Sequence, residues 1–462
     1  MRQSNRVAIV TGIVDDVRYL PYSDIAKIQE KLCCLLHEAG LGIKNKNAPF
    51  NDIVEQGMTV LVKPNWVLHE NFSSKGMDCL VTHQNFILAV LREIFKAQPG
   101  RVIIGDAPIQ ACDFDRLVPK EWQAEVAAIA TCPFEIIDFR RTVLRKGGFS
   151  EGQDTQVRGD ENYILFDLGK ESLLEPVSQP ESRFRITCYD PDFLSDKHQP
   201  GKHQYLLCRE PFEADVIINL PKLKTHKKAG MTAALKNLVG LNGNKEYLPH
   251  HRLGGAAEGG DCYPGFAPLK KMAEYCLDEA NRNIGTKACS TWMKRTSRLL
   301  RVHGAIGNSE IEGGWYGNDT VWRMTLDLNR LLLYGRLDGT LSDEPLRKIY
   351  TITDAIVAGE LEGPLAPSPV FFGVITFAES SAFADLVHAT LMHFNPESIP
   401  LVREAFKPFR YPLVGQVPEK CEIRYEGKSL SLAEASFILG RDFKPPQGWI
   451  GHIEQRKGSA KK

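Results

Sequence analysis

The chain reads as an α/β protein with a mainly parallel sheet, covering helices and a helical insertion. Three observations predict this. Short apolar runs that suit buried strands alternate with stretches whose apolar residues recur every three or four positions, which is the β–α–β order of a parallel sheet. Several of these runs end in polar residues, as strands do when they deliver side chains to a cleft at the carboxyl edge of such a sheet. The alternation stops near residue 251, gives way to helical segments, and resumes near 346.

Val7 to Ile13 is the first strand, and Ser23 caps a helix from Asp24 to Ala39 whose Ile25, Ile28, Leu32, Leu35 and Leu36 share a face, with Gly40 closing it. Met58 to Trp66 is a strand carrying Lys63 and Asn65 at its end. Thr82 caps the next helix, with Phe86, Ile87, Val90, Leu91, Ile94 and Phe95 at helical spacing. Arg101 to Pro108 is a strand ending on Asp106, and a helix at Trp122 to Ala130 and a strand at Phe134 to Phe139 follow. Between Lys146 and Pro211 the pattern weakens into an irregular excursion, with strands at Tyr163 to Leu168 and Tyr205 to Cys208, antiparallel at an edge. Helices are expected at Ala267 to Asn281, Ser290 to Val302 and Thr320 to Tyr334, the last capped by Asn318 or Asp319; Asp327 and Asn329 are unexpected polar residues among its leucines. Strands at Ile349 to Ile356 and Val370 to Phe377 and a helix from Ala382 to His393 complete the pattern, and the tail from Lys444, with Lys457, Lys461 and Lys462, is expected to fray. Residues 1–250 and 346–418 thus form the α/β body with an excursion near 146–211; 251–345 is the insertion and 419–462 a C-terminal extension.

The stretch from Ala214 to Gly240, ADVIINLPKLKTHKKAGMTAALKNLVG, is the most informative. Val216 to Ile218 is a buried strand, and Leu235, Leu238 and Val239 mark a helix from Met231. The connection between them holds Lys222, Lys224, His226, Lys227 and Lys228, with Gly230 at the helix start and Lys236 and Asn237 further in. A basic run is usually a solvated loop. A strand-to-helix junction of a parallel sheet is also where anions bind, because backbone N–H groups and the helix dipole favour negative charge there. The strand ends bring Lys63, Asn65, Asp106 and this connection to one edge. Later, Asp354, Glu360 and Glu362 lie on a strand and a glycine-broken loop, where carboxylates suit Mg²⁺ or a substrate's hydroxyls or amines. His250 and His251 stand among glycines as ligands or as plain loop residues; the metal question is open.

Composition excludes more than it reveals. Lysine plus arginine and aspartate plus glutamate both count 57, so no global field holds nucleic acid or an anionic membrane. No apolar run approaches the ~20 residues of a membrane span, and Val7 to Ile13, followed by Asp15 and Asp16, is too short for a signal peptide. Eleven cysteines without a C-x-x-C pair give no support to an iron–sulfur cluster and suit reduced thiols in the cytoplasm.

The motifs KPNW at Lys63–Trp66, IGDAP at Ile104–Pro108, ADVIINLPKLKTH at Ala214–His226, ALKNLVG at Ala234–Gly240, WYGNDT at Trp315–Thr320, DLN at Asp327–Asn329 and TDAIVAGELEGP at Thr353–Pro364 resemble the family called domain of unknown function 362. Some members of that family carry a ferredoxin-like cluster domain, which this chain lacks. The spacing from His226 through Ala229 and Gly230 to Lys236 is similar, more remotely, to the N-terminal domain of nickel-pincer lactate racemases. That likeness implies an acid/base role for His226, a cofactor-holding role for Lys236 and a metal-binding role for His250 or His251; Leu235 stands where the racemases carry an arginine.

The expectation is an enzyme of unassigned reaction, isomerase-like or transferase-like, binding a small carboxylate, phosphate or sugar-derived anion. His226, Lys236 and Asp106 would be catalytic, and Lys63, Asn65, Lys222, Lys224, Asn237, Asp354 and Glu362 would bind substrate. The alternative is a non-catalytic ligand-binding or assembly protein using the same cleft.

Overall fold

A computed structural model describes residues 4–13, 20–145, 153–305 and 307–455. Its central sheet has eleven strands: β1 (Arg6–Val10), β2 (Thr59–Pro64), β3 (Arg101–Asp106), β4 (Phe134–Asp138), β5 (Val216–Leu220), β6 (Lys222–His226), β7 (Gly230–Thr232), β8 (Lys348–Glu362), β9 (Ala366–Ala378), β10 (Glu422–Tyr425) and β11 (Lys428–Leu430). The spatial order is β11-β10-β1-β9-β8-β5-β2-β3-β4, with β6 paired to β8 and β7. From β8 through β5, β2 and β3 to β4 every pairing is parallel, and the antiparallel β8–β9 hairpin joins this block to β1.

Strands buried on both faces explain the continuous apolar runs. In β5, Ile217 enters one core with Leu61 and Ile103, while Val216 and Ile218 enter the other with Val60, Val62, Val102 and Ile104. Helices α1 (Ile25–Glu38), α2 (Gln84–Lys96) and α3 (Lys120–Ile129) cover the second core. The first is covered by the short α4 (Ala234–Asn237) and, after the paired helices α5 (Pro268–Arg282) and α6 (Lys287–Gly304), by α7 (Val321–Tyr334) and α8 (Ser381–Leu391). No helix among the described residues is long and apolar enough to cross a membrane.

Several local expectations are corrected. Asp24, not Ser23, caps α1 by accepting from the Lys27 amide, and His83, not Thr82, caps α2 through the Asn85 amide. Thr82 bridges strands instead: it accepts from the Asn65 amide and donates to the Leu220 carbonyl. In the excursion, Tyr163–Asp167 pairs antiparallel with Lys202–Cys208, but in a small separate sheet rather than at the edge of the main one. Lys146 lies outside the described residues. Helix α7 is buried along its whole length in the main core. There Asp327 binds the Leu173 amide, the Tyr205 hydroxyl and Arg330, and Asn329 donates to the Leu235 carbonyl. Those bonds explain the two polar residues among the leucines.

The C-terminal segment is no frayed tail up to residue 455. Strand β10 pairs in parallel with β1, Trp449 and Ile453 are buried, and the Trp449 indole donates to the Lys227 carbonyl at 2.6 Å. Lys457, Lys461 and Lys462 lie outside the described residues.

Candidate functional site

The basic connection after β5 is a strand, not a loop. β6 pairs with β8 through Lys222↔Asp354 and Lys224↔Gly359, then turns back into β7 through His226↔Gly230. Gly230, expected at a helix start, sits in this hairpin at φ +80°, and a Cβ there would meet the Trp449 ring at 3.2 Å. The helix expected from Met231 shrinks to α4 plus one 3₁₀ turn at Leu238–Leu241. Because side chains alternate along a strand, Lys222, Lys224 and His226 share one face, and all three are buried. Burying an ammonium group is costly unless it finds oxygen partners.

Each lysine resolves that cost differently. Lys222 binds Asp354 at 2.6 Å and the Tyr22 hydroxyl at 2.8 Å; Tyr22 donates to the other Asp354 oxygen at 2.6 Å, and the His83 amide adds a further bond. Lys63 binds Asp106 at 2.7 Å, while the amides of Trp66 and Ala107 take the remaining capacity of that carboxylate. Burial pushes the Lys63 ammonium down and the Asp106 carboxyl up, each opposed by the other. Gly240 closes over this pair: a Cβ there would lie 1.9 Å from Asp106 Oδ1. Lys224 donates to Asn65 Oδ1 at 2.8 Å and to the Leu80 carbonyl. With no carboxylate against it, burial and then the Lys222 charge pull its pKa down to about 7.

Asn237 ties these groups together. It donates to Asn219 Oδ1 at 2.7 Å and to the Lys63 carbonyl at 3.1 Å, and accepts from Asn65 at 2.9 Å. The helix carrying Asn237 is itself held by Asp385, which accepts the Ala234 and Leu235 amides at 2.8 and 2.9 Å and pairs with His388.

In front of this buried network lies a cavity of about 440 Å³. Of the residues singled out by sequence, Asn65, Asp106, His226, Lys236, Asn237 and Glu362 line it. Lys63, Lys222, Lys224 and Asp354 stand behind its wall, so of the four lysines expected to converge on one ligand one remains, beside Lys227, Lys228 and Lys245 in the lining. That one is Lys236, which has no hydrogen-bond or ion-pair partner among the described residues; burial, then Lys228 and Lys63, pull its pKa down to about 8. Glu362 faces Lys227 at 3.4 Å and accepts the Gln447 amide, and Glu360 accepts the Lys444 amide. The carboxylates expected to suit Mg²⁺ are thus engaged by protein groups. Among the described residues no three histidine, cysteine, aspartate or glutamate side chains converge as a ligand set.

His226 and His250 supply the chemistry of the cavity wall. The amides of Lys228 and Ala229 donate to His226 Nδ1 at 3.0 and 3.2 Å, so the neutral ring carries its proton on Nε2. His250 Nδ1 donates to the Leu248 carbonyl at 2.7 Å, which leaves a lone pair on Nε2. Burial, reinforced by Lys236, holds both imidazoles well below their usual pKa. Asn318 fixes the His250 backbone by donating to its carbonyl at 2.9 Å while capping α7 with its own oxygen. His251 points elsewhere, against Gly313, and pairs in a short strand with Arg185. Sequence left the roles of these two adjacent histidines open, and missed Asp385 and Gly240.

Residues 183–390 match the family described as domain of unknown function (DUF362). That stretch of the chain belongs to the DUF362 family. The DUF362 match includes β6, His226, Lys236, His250 and Asp385, whereas Lys63, Asn65 and Asp106 precede it. A thylakoid-associated protein of Synechocystis sp. is 33% identical over 110 residues, 24% of this chain and 32% of that protein. The match therefore spans about a third of that relative's length. A crystal structure of a Thermotoga maritima protein aligns over 77% of this chain and 55% of the other, at 11% identity and a TM-score of 0.27, too slight a likeness to carry an argument. The similarity to lactate racemases stays an expectation of the sequence.

Proposed function

We propose that this protein is an enzyme that binds a small organic anion at Lys236 and takes a proton from it at His250 while His226 donates a hydrogen bond to it. The observation that carries the reading is the opposite tautomers: His226 offers an Nε2–H donor and His250 an Nε2 acceptor, so one can stabilise developing negative charge where the other takes a proton. A proton passed from substrate to His250 creates an imidazolium whose Nδ1–H still donates to Leu248. Giving up the Nε2 proton would leave His226 an imidazolate, so His226 keeps that proton and acts as a hydrogen-bond donor to a developing oxyanion, while the proton taken by His250 returns to the substrate. Lys236, with no partner among the described residues, supplies charge that selects a carboxylate or phosphate over a neutral molecule. Asp106, with both oxygens occupied, positions Lys63 and the Trp66 and Ala107 backbone and does not touch substrate. Eleven free cysteines fit a reducing compartment, the cytoplasm.

Hydrogen exchange at carbon tests this directly, whatever the net reaction is. Incubation with panels of 2-hydroxy, 2-oxo and phosphorylated acids in D₂O, read by mass spectrometry, detects it. One acid should exchange with the wild-type protein, and His250→Gln should slow that exchange by roughly a hundredfold or more. Binding without exchange for every acid would favour the non-catalytic reading of the same cleft.

A further inference from the structure

The lining of the cavity combines polar groups with a set of apolar residues. Trp66, Ile109, Ile186, Leu248 and Leu365 line it, joined by Phe72, which leaves 56% of its surface exposed. These residues come from the ends of β2 and β3, from the segment after the short Phe184–Arg185 strand, and from the β8–β9 turn. Several separate elements thus each bring an apolar residue to one space. Leu248 links the two sets: its carbonyl orients His250, and the residue lines the cavity. A two- or three-carbon acid held at Lys236 would leave most of the 440 Å³ as water against apolar surface, an arrangement that ligand sites of this size rarely keep. A second cavity of about 320 Å³ shares Gln110, Cys188, Asn244 and Lys245 with the first, so the two adjoin at these residues.

We propose that the ligand of this site is an amphipathic anion: a carboxylate or phosphate head set against Lys236 and an extended alkyl or aryl body lying on Trp66, Ile109, Ile186, Leu248 and Leu365. The proposal rests on the anion-binding reading above and adds the class of molecule. Lys236 and the two imidazoles fix the head, and the hydrophobic effect places the body. Chain length, rather than charge alone, then decides affinity.

Calorimetric titration of the full chain with straight-chain carboxylates from acetate to octanoate tests this, with hexanamide as the uncharged match of hexanoate. Affinity should rise by about fourfold for each methylene buried, and hexanoate should exceed hexanamide clearly. Ile186→Asn and Leu248→Asn should each flatten the series, and Lys236→Met should erase the advantage of hexanoate over hexanamide. If one apolar-lining variant does not fold, the wild-type series and the other variant still decide. A flat series with acetate binding as well as octanoate overturns the amphipathic class and leaves the anion site standing. A rising series that is equal for hexanamide, and unchanged in Lys236→Met, keeps the apolar lining and overturns the anion site. No binding by any member overturns both.

Discussion

His226 and His250 are neutral imidazoles held in opposite tautomers, one by two backbone amides at Nδ1, the other by a backbone carbonyl at Nδ1. Backbone partners cannot exchange donor for acceptor, so each ring's free nitrogen has its role fixed by the fold. His226, given an acid/base role by the racemase resemblance, therefore has only a donor to offer at Nε2, and His250 only an acceptor.

Stability should rise with pH between about 7 and 8. Lys224 and Lys236 have folded-state pKa values of about 7 and about 8, below their ordinary 10.5, so above those values these two groups bind more protons in the unfolded chain than in the folded one. At higher pH the thiols whose pKa burial raises oppose the trend. Urea titrations at closely spaced pH values check this, and a flat or falling profile would show that other groups dominate.

Lys236→Met should stabilise the protein near neutral pH, since it removes a poorly solvated cation that has no partner among the described residues and leaves no protein group unsatisfied. The variant should also lose thermal protection by phosphate. Protection equal to the wild type would return Lys236 to a structural role.

Lys63→Met should do the reverse. It strands a buried carboxylate at Asp106, at a cost of about 3–5 kcal/mol. Gly240→Ala should resemble it, because the added Cβ meets Asp106 Oδ1 and forces the pair apart. Chemical denaturation of both variants measures the loss, and unaltered stability in Gly240→Ala would mean that the turn over the ion pair yields easily.

Asp385→Ala removes the acceptor of two amides at the start of α4 and the partner of buried His388, for a loss of about 1–3 kcal/mol. Hydrogen exchange should show the Ala234 and Leu235 amides losing protection. Retained protection would locate their stabilisation elsewhere.

The legible part of this fold was the part written in apolar residues. Strands such as Val216–Leu220 and helices such as Gln84–Lys96 announce themselves because burial on one or two faces dictates their periodicity. Lys222–His226 did not, because its alternation of Lys, Leu, Lys, Thr and His looks solvated until Asp354, Asn65 and Leu80 are brought against it from distant segments. The ends of β2, β3 and β6 and the short helix α4 bring Asn65, Asp106, His226, Lys236 and Asn237 to one cavity. Which lysine stays without a partner among the described residues, and which nitrogen of each histidine is free, depends on single hydrogen bonds such as that from His250 to the Leu248 carbonyl, which no spacing encodes. Ser23 was misplaced as a cap because Asp24 competes equally well by type, and Thr82 because distant groups, the Asn65 amide and the Leu220 carbonyl, take its hydroxyl.

Nitrogen NMR of the ¹⁵N-labelled imidazoles, assigned with His226→Gln and His250→Gln and followed from pH 5 to 8, reads the two tautomers themselves. His226 should be a neutral ring protonated at Nε2 and His250 a neutral ring protonated at Nδ1, with neither titrating near the ordinary value of 6.5. Two rings in the same tautomer, or a His250 that titrates near 6.5, would overturn the division of donor and base between them.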